Sequence, residues 1–273
     1  MKIATYLHAS PIIGSDVCST IYERFKDEMP AGFESHQSFG QFSMPFSPDS
    51  EALACACKMI ENANHSSYEL IRAVRYTKKE IEQVPFFSVY LPTPLELVGS
   101  DTAKYGTIYD DGCPNCGVGK SAIGSVFVDR KCLKKLKMGS LFPDIVVRQE
   151  IKEVIECASL TGISFPDEVK DYKGREMENH YFKVSIDNLL PPLSNQTWLT
   201  RYESANCPFH PSLYLRSELQ YEQTKLENAM DFNLTNEFLN AYHERQLVIS
   251  ARARKILINS GIIRGHFFPV TLL

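Results

Sequence analysis

Two short motifs carry the residue types best suited to chemistry. Cys113-Pro114-Asn115-Cys116 and Cys207-Pro208-Phe209-His210 each place two soft or borderline ligands three positions apart, with proline after the first. Together they supply three thiols and one imidazole, a complete tetrahedral ligand set for zinc drawn from segments separated by residues 117–206. The expected cofactor is therefore one structural zinc ion per chain, held by Cys113, Cys116, Cys207 and His210. Four protein ligands close the coordination shell and leave no position for an activated water, which argues against hydrolysis at the metal. Cys132 offers an alternative thiol in place of His210, and Asp110-Asp111 could tune the metal from outside the ligand shell or simply form a solvated turn.

Other chemistries fit less well. A redox role for Cys113-x-x-Cys116 needs the first cysteine at a helix N-terminus, but Gly117-Val118-Gly119 and a β-rich run follow. Gly117-Val118-Gly119-Lys120-Ser121 mimics the end of a phosphate loop, yet the position that needs the first glycine is Pro114 and no helix is expected to follow. His8, His36, His65, His180, His243 and His266 share no spacing with a nucleophile, and no G-x-S-x-G or H-E-x-x-H motif occurs. The basic run Arg130 to Lys137 lacks interleaved aromatics, so a solvated segment is favoured over a nucleic-acid contact.

The elements that must position the quartet follow from periodicity. Strands over Thr107 to Tyr109 and Ser125 to Val128 frame the first motif, with Gly117 and Gly119 placed to turn the backbone at a zinc-knuckle hairpin tip. Upstream, Val17, Ile21 and Phe25 predict a helix after Ser15-Asp16. A second helix opens at Ser47-Pro48 with Ala52, Cys55, Ala56, Met59 and Ile60 on its apolar side. Tyr68 to Tyr76 is a strand, Thr77 to Glu80 has capping-box spacing, and Pro85 to Leu91 is a strand. A repeat of strand, helix, glycine-marked turn and strand appears at 145–166 and 247–270, the second copy with Ser250 as N-cap and Gly261 as C′ residue. Between the copies, strands are expected at Tyr181 to Ile186, Trp198 to Tyr202 and Leu213 to Tyr221. Phe267 and Phe268 are expected in the core.

The pattern predicts an α+β fold, with mixed or antiparallel sheets, flanking helices and a zinc-ribbon-like knuckle joining two distant segments. The 273 residues are treated as a single domain over 1–273. Its subdivision would fall near Gly99 to Ala103, with residues 1–103 as an N-terminal portion and residues 104–273 as a zinc-containing portion. A chain of this length buries enough core to fold without depending on metal as a zinc finger does. The net charge of −4 is not the basic balance of a general nucleic-acid binder. No membrane span or leader is expected, so the protein is placed in the cytoplasm with its eight cysteines as thiols or ligands. Cys18, Cys55, Cys57 and Cys157 lie in apolar helical patterns and are expected to pack.

Several segments, in order, resemble a bacterial family known for a double C-x-x-C-G motif. Arg75-Tyr76-Thr77-Lys78-Lys79-Glu80-Ile81 looks like the family's Tyr-Thr-x-x-Glu segment, and Tyr109 to Gly119 looks like its first cysteine motif. Asp144 to Val147 and Val248 to Ser250 look like its strand-to-helix junctions, and Gly265 to Val270 like its closing Gly-x-x-Phe-x-Pro-Val strand. The resemblance covers roughly residues 68–273. The chain departs from it where His210 stands for cysteine and Pro211 for glycine, a change that keeps a zinc ligand. Some members of that family are predicted immunity proteins. The resemblance thus implies a non-enzymatic, zinc-stabilised inhibitor that neutralises a cognate toxin protein by occluding it. A zinc-ribbon nucleic-acid-binding or regulatory module is the alternative.

Overall fold

The computed structural model describes all residues except 10–14, 39–40, 64–67, 95–101, 111, 117, 142, 205–206, 240–243 and 263–266. Two compact units emerge: Met1–Gln83 with Gln196–Leu199 and Leu215–Glu218, and Val84–Asn195 with Thr200–Tyr214 and Leu219–Leu273. Most of the subdivision expected at Gly99 to Ala103 lies outside the described residues. The α+β class is as expected.

Unit 1 carries β1 (Lys2–Ala9), α1 (Ser15–Phe25), β2 (His36–Ser38), β3 (Gln41–Phe46), α2 (Glu51–Asn62), β4 (Tyr68–Arg75) and α3 (Lys78–Gln83). Its sheet has the order β2-β3-β1-β4 and is antiparallel throughout. The helical spacing of Ile21 and Phe25 on α1, and of Ala52, Ala56 and Ile60 on α2, turns both apolar stripes onto Leu7, Met44 and Phe46 of the sheet. The α2 cap is a correction: Ser50, not Ser47-Pro48, starts the helix, its side chain accepting from Leu53 N at 3.2 Å. At α3 the capping box forms as expected. Glu80 accepts from Thr77 N at 2.7 Å while Thr77 Oγ1 accepts from Glu80 N at 3.3 Å.

Unit 2 begins with β5 (Phe86–Val89), β6 (Val126–Val128), α4 (Arg130–Leu133), β7 (Met138–Ser140), β8 (Ile145–Arg148), α5 (Gln149–Cys157), β9 (Glu168–Asp171) and β10 (Tyr181–Val184). It continues with β11 (Leu199–Ser204) and β12 (Cys207–Leu215), whose end residues Leu199 and Leu215 are counted with unit 1, then β13 (Gln220–Tyr221), β14 (Phe232–Leu239), β15 (Glu244–Ser250), α6 (Ala251–Asn259), β16 (Phe267–Pro269) and β17 (Thr271–Leu272). A five-stranded sheet runs β6-β9-β10-β8-β7 and a six-stranded sheet β11-β12-β14-β15-β5-β16. Val126, Val128, Val146 and Tyr181 form a core on the first, with Leu133 and Leu141.

The repeat holds for its strand-to-helix steps, β8 into α5 and β15 into α6, with Ser250 accepting from Ala253 N at 3.1 Å and Gly261 at φ +88°. It fails in its last limb. Residues 160–166 form no strand and Ser164 makes only an isolated bridge to Ser185. Residues 263–266 of the second copy lie outside the described residues. Three further expectations are corrected. The strand predicted at Leu213 to Tyr221 runs instead from Cys207 to Leu215, with a separate short β13. Phe267 is buried but Phe268, its neighbour in β16, is 48% exposed and stacks edge-on with Tyr90, because successive strand residues face opposite sides. Cys157 is exposed, since it lies off the α5 stripe formed by Ile151 and Ile155.

Candidate metal centre

The first motif sits at the tip of a hairpin within unit 2. Tyr109 and Ala122 pair across it, Asp110 N donates to Ser121 O at 3.1 Å, and Ile123 N to Ile108 O at 2.8 Å. The carboxylate of Asp110 clamps the two limbs by accepting from Ser121 N at 2.6 Å and from Ser121 Oγ at 3.2 Å. That is a different task from tuning the metal; Asp111 lies outside the described residues. The expected strand at Thr107 to Tyr109 is reduced to the single bridge at Tyr109. At the tip, Cys113 N donates to Val118 O at 2.8 Å and the chain turns through Gly119 at φ +83°, a conformation that favours glycine. Gly117 lies outside the described residues.

This turn aims backbone amides at sulfur. The N–H groups of Asn115 and Cys116 point at the Cys113 sulfur and pull its thiol down to about 6. Burial pushes Cys116 up to about 11, the neighbouring sulfurs of Cys207 and Cys113 adding to it, while the amide of Val118 works the other way. One thiolate is thus prepared, and the second proton is the kind that a divalent cation displaces.

The second motif comes from β12. Cys207 Sγ lies 3.8 Å from Cys113 Sγ, and His210 Nδ1 lies 3.4 Å from Cys207 Sγ and 3.5 Å from Cys116 Sγ. All four ligand atoms fall within 4.8 Å of one another. A tetrahedron with metal–sulfur bonds of about 2.3 Å and metal–nitrogen bonds of about 2.0 Å has sulfur–sulfur edges of about 3.8 Å and sulfur–nitrogen edges of about 3.5 Å. The three close separations match those edges, so the donor set fits an ion of zinc's size. Cys207 is almost wholly buried, the other three ligands partly. Phe238 on β14 packs edge-on against the His210 ring, with centroids 6.3 Å apart.

The structure therefore brings all four expected residues to one point, and Cys132 is not among them. Cys132 packs instead beside the core of Val126, Leu133 and Val146. All eight cysteines are unbridged. His36 and His180 are exposed, and His8 Nδ1 lies 3.4 Å from Phe42 O, its pKa lowered chiefly by burial. His65, His243 and His266 lie outside the described residues. The basic run is held by the fold: Arg130 donates to Glu176 O at 2.8 Å, Lys137 to Ser260 O at 2.9 Å, and Lys134 approaches Glu178. Sequence reasoning missed the Asp110 clamp and Phe238. The i, i+11 spacing of Asp110 and Ser121 across a turn was the available signal for the clamp; no local signal marks Phe238.

No family model and no curated protein matches the chain. Among the described residues, no helix is long and apolar enough to cross a membrane.

Proposed function

We propose that the protein is a zinc-stabilised binding protein that acts, without catalysis of its own at the metal, as an immunity-type inhibitor of a bacterial toxin protein in the cytoplasm. The observation that supports the zinc reading is the quartet Cys113, Cys116, Cys207 and His210, whose ligand atoms lie within 4.8 Å of one another and of which three separations match the edges of a tetrahedron around one ion. Three thiolates and an imidazole select a borderline-soft cation and leave no ligand position for water, which makes the role structural. The inhibitor reading rests on the resemblance of residues 68–273 to the double C-x-x-C-G family. Inhibition would proceed by occlusion through an interface of about 1,600 Å² in total, the ordinary size of a stable complex.

Elemental analysis tests the metal: one zinc per chain is expected, and a well-folded preparation without zinc rejects the site. Cys207→Ala removes the most buried ligand and should lower zinc content and melting temperature together. The inhibitor reading is tested by co-expression with the product of the neighbouring gene. Rescue of a toxic neighbour supports it, and toxicity undiminished by this protein counts against it.

A further inference from the structure

A cleft of about 570 Å³ opens in unit 2. Residues Gly119 to Ser121, leaving the cysteine hairpin, line it together with residues of β14 and β15. Its volume suits a small organic molecule. Five charged side chains border it: Lys120, Asp144, Lys183, Glu244 and Arg245. The three cations are answered within the fold, and Asp144 at one oxygen only: its Oδ1 accepts from Ala122 N at 3.3 Å, while its buried Oδ2 has no hydrogen-bond partner among the described residues. Lys183 donates to the carbonyl of Ala122 and lies 4.0 Å from Asp144. The amine of Lys120 sits 4.2 Å from the centre of the Tyr109 ring. Arg245 donates to the carbonyls of Thr235 and Asn236 and covers the ring of Phe238 at 4.3 Å.

Glu244 differs. Among the described residues its carboxyl makes no hydrogen bond or ion pair, and burial alone pushes it up to about 7, with no cation drawing it back. A half-buried carboxylate left without a partner is disfavoured until a counter-charge arrives. Such groups in clefts are candidates for ligand contact. An anionic ligand would find the cleft's cations already engaged, whereas a cationic one finds an acceptor waiting.

We propose that this cleft binds a molecule bearing a cationic nitrogen, an amine or a guanidinium, which pairs with Glu244 while its apolar body lies among Tyr90, Phe238 and Leu239. The site stands on the cleft itself and holds whether or not the cysteine quartet carries zinc. The nitrogen can arrive on a free organic amine or at the end of a lysine or arginine side chain.

Calorimetric titration of the full chain with tryptamine, with N-acetyl-arginine amide and with the acid indole-3-propionate separates these cases. At least one cation should bind with a Kd on the order of 0.1–1 mM. The acid should bind about tenfold more weakly or not at all, and Glu244→Gln should weaken the cation about tenfold, the loss expected for a charged hydrogen-bond partner. Preference for tryptamine assigns the site to a free amine, and preference for the arginine amide to a partner's side chain. No cation binding up to about 10 mM, a range that still detects weak pairing, overturns the proposal, as does equal binding of the acid. Unchanged cation binding in a folded Glu244→Gln protein does the same. The amine-against-acid comparison needs no variant, so it stands even if the substitution disturbs folding.

Discussion

Burial holds the carboxyl of Glu244 up at about 7, above the 4.5 of a free glutamate, so the folded chain keeps a proton that the unfolded chain releases. Stability contributed by that proton is present below pH 4.5 and lost as the pH rises through 7. Glu244→Gln should therefore leave stability nearly unchanged at pH 4 and raise it at pH 8 by about 2 kcal/mol, allowing for the open side of the cleft. Urea titrations at the two pH values check this, and a variant less stable at pH 8 would show that the carboxylate has a partner. At the metal, His210→Cys should keep a complete ligand set and retain zinc, while His210→Ala should lose it, both read by elemental analysis. The quartet was legible because each half is a local pair at i, i+3 with proline repeated in the same slot. Glu244 was not, because its surroundings are assembled from strands far apart in sequence and nothing in Glu244-Arg245-Gln246 announces burial.

Among the elements, the limbs of the cysteine hairpin are joined by the bridge at Tyr109 and Ala122 and by three backbone hydrogen bonds, and the Asp110 side chain adds a clamp to them. Asp110→Ala removes two acceptor contacts to Ser121, one of 2.6 Å to its backbone N–H. The expected cost is about 1–2 kcal/mol and faster release of zinc to a chelator, followed by a colorimetric zinc indicator; release at the wild-type rate would mean that the metal alone fixes the turn. A second loop is held by Asp171 at the end of β9, which accepts from Arg175 Nε at 2.8 Å and from the amides of Arg130 and Lys173 at 3.1 Å each. The Arg175 guanidinium keeps this carboxyl well below the usual carboxylate range, so its contribution persists at neutral pH and fades only as the pH falls through that depressed value. An element with clean periodicity, such as α1 with Val17, Ile21 and Phe25 at helical spacing, could be recognised from sequence, and those that escaped have physical reasons. Pro208 and Pro211 lack the N–H that a strand pattern leads one to require, which hid the first half of β12. In β14 the register shifts between Leu234 and Phe238, and Asn233 and Thr235 are fully buried, so the apolar alternation is broken. The alternation of Ile3, Thr5, Leu7 and Ala9 in β1 is present but has a polar residue on its buried side.

At the scale of the molecule, each unit has apolar cores of its own, and the cysteine quartet belongs wholly to unit 2, where it joins residues 113–116 to β12 across a long stretch of chain. An ion that binds only this native arrangement stabilises it by about 4 kcal/mol at a thousandfold excess over its Kd. Because the core of Val126, Leu133, Val146 and Tyr181 needs no metal to be apolar, stripping the zinc should loosen the chain locally and leave it folded. Hydrogen exchange makes the expectation specific. After chelation, amides of the hairpin at 108–123 and of β12 should exchange faster by a factor on the order of 10–1,000, the range that 1.4–4 kcal/mol of lost local stability implies. Amides in β1 and β4 should keep their protection, since their sheet is closed by β3 and by the α1 and α2 stripes without any contribution from the quartet. Equal loss of protection in β1 and at the hairpin would mean that the ion governs global unfolding, and unchanged exchange at Cys113 to Cys116 would mean that it stabilises nothing there.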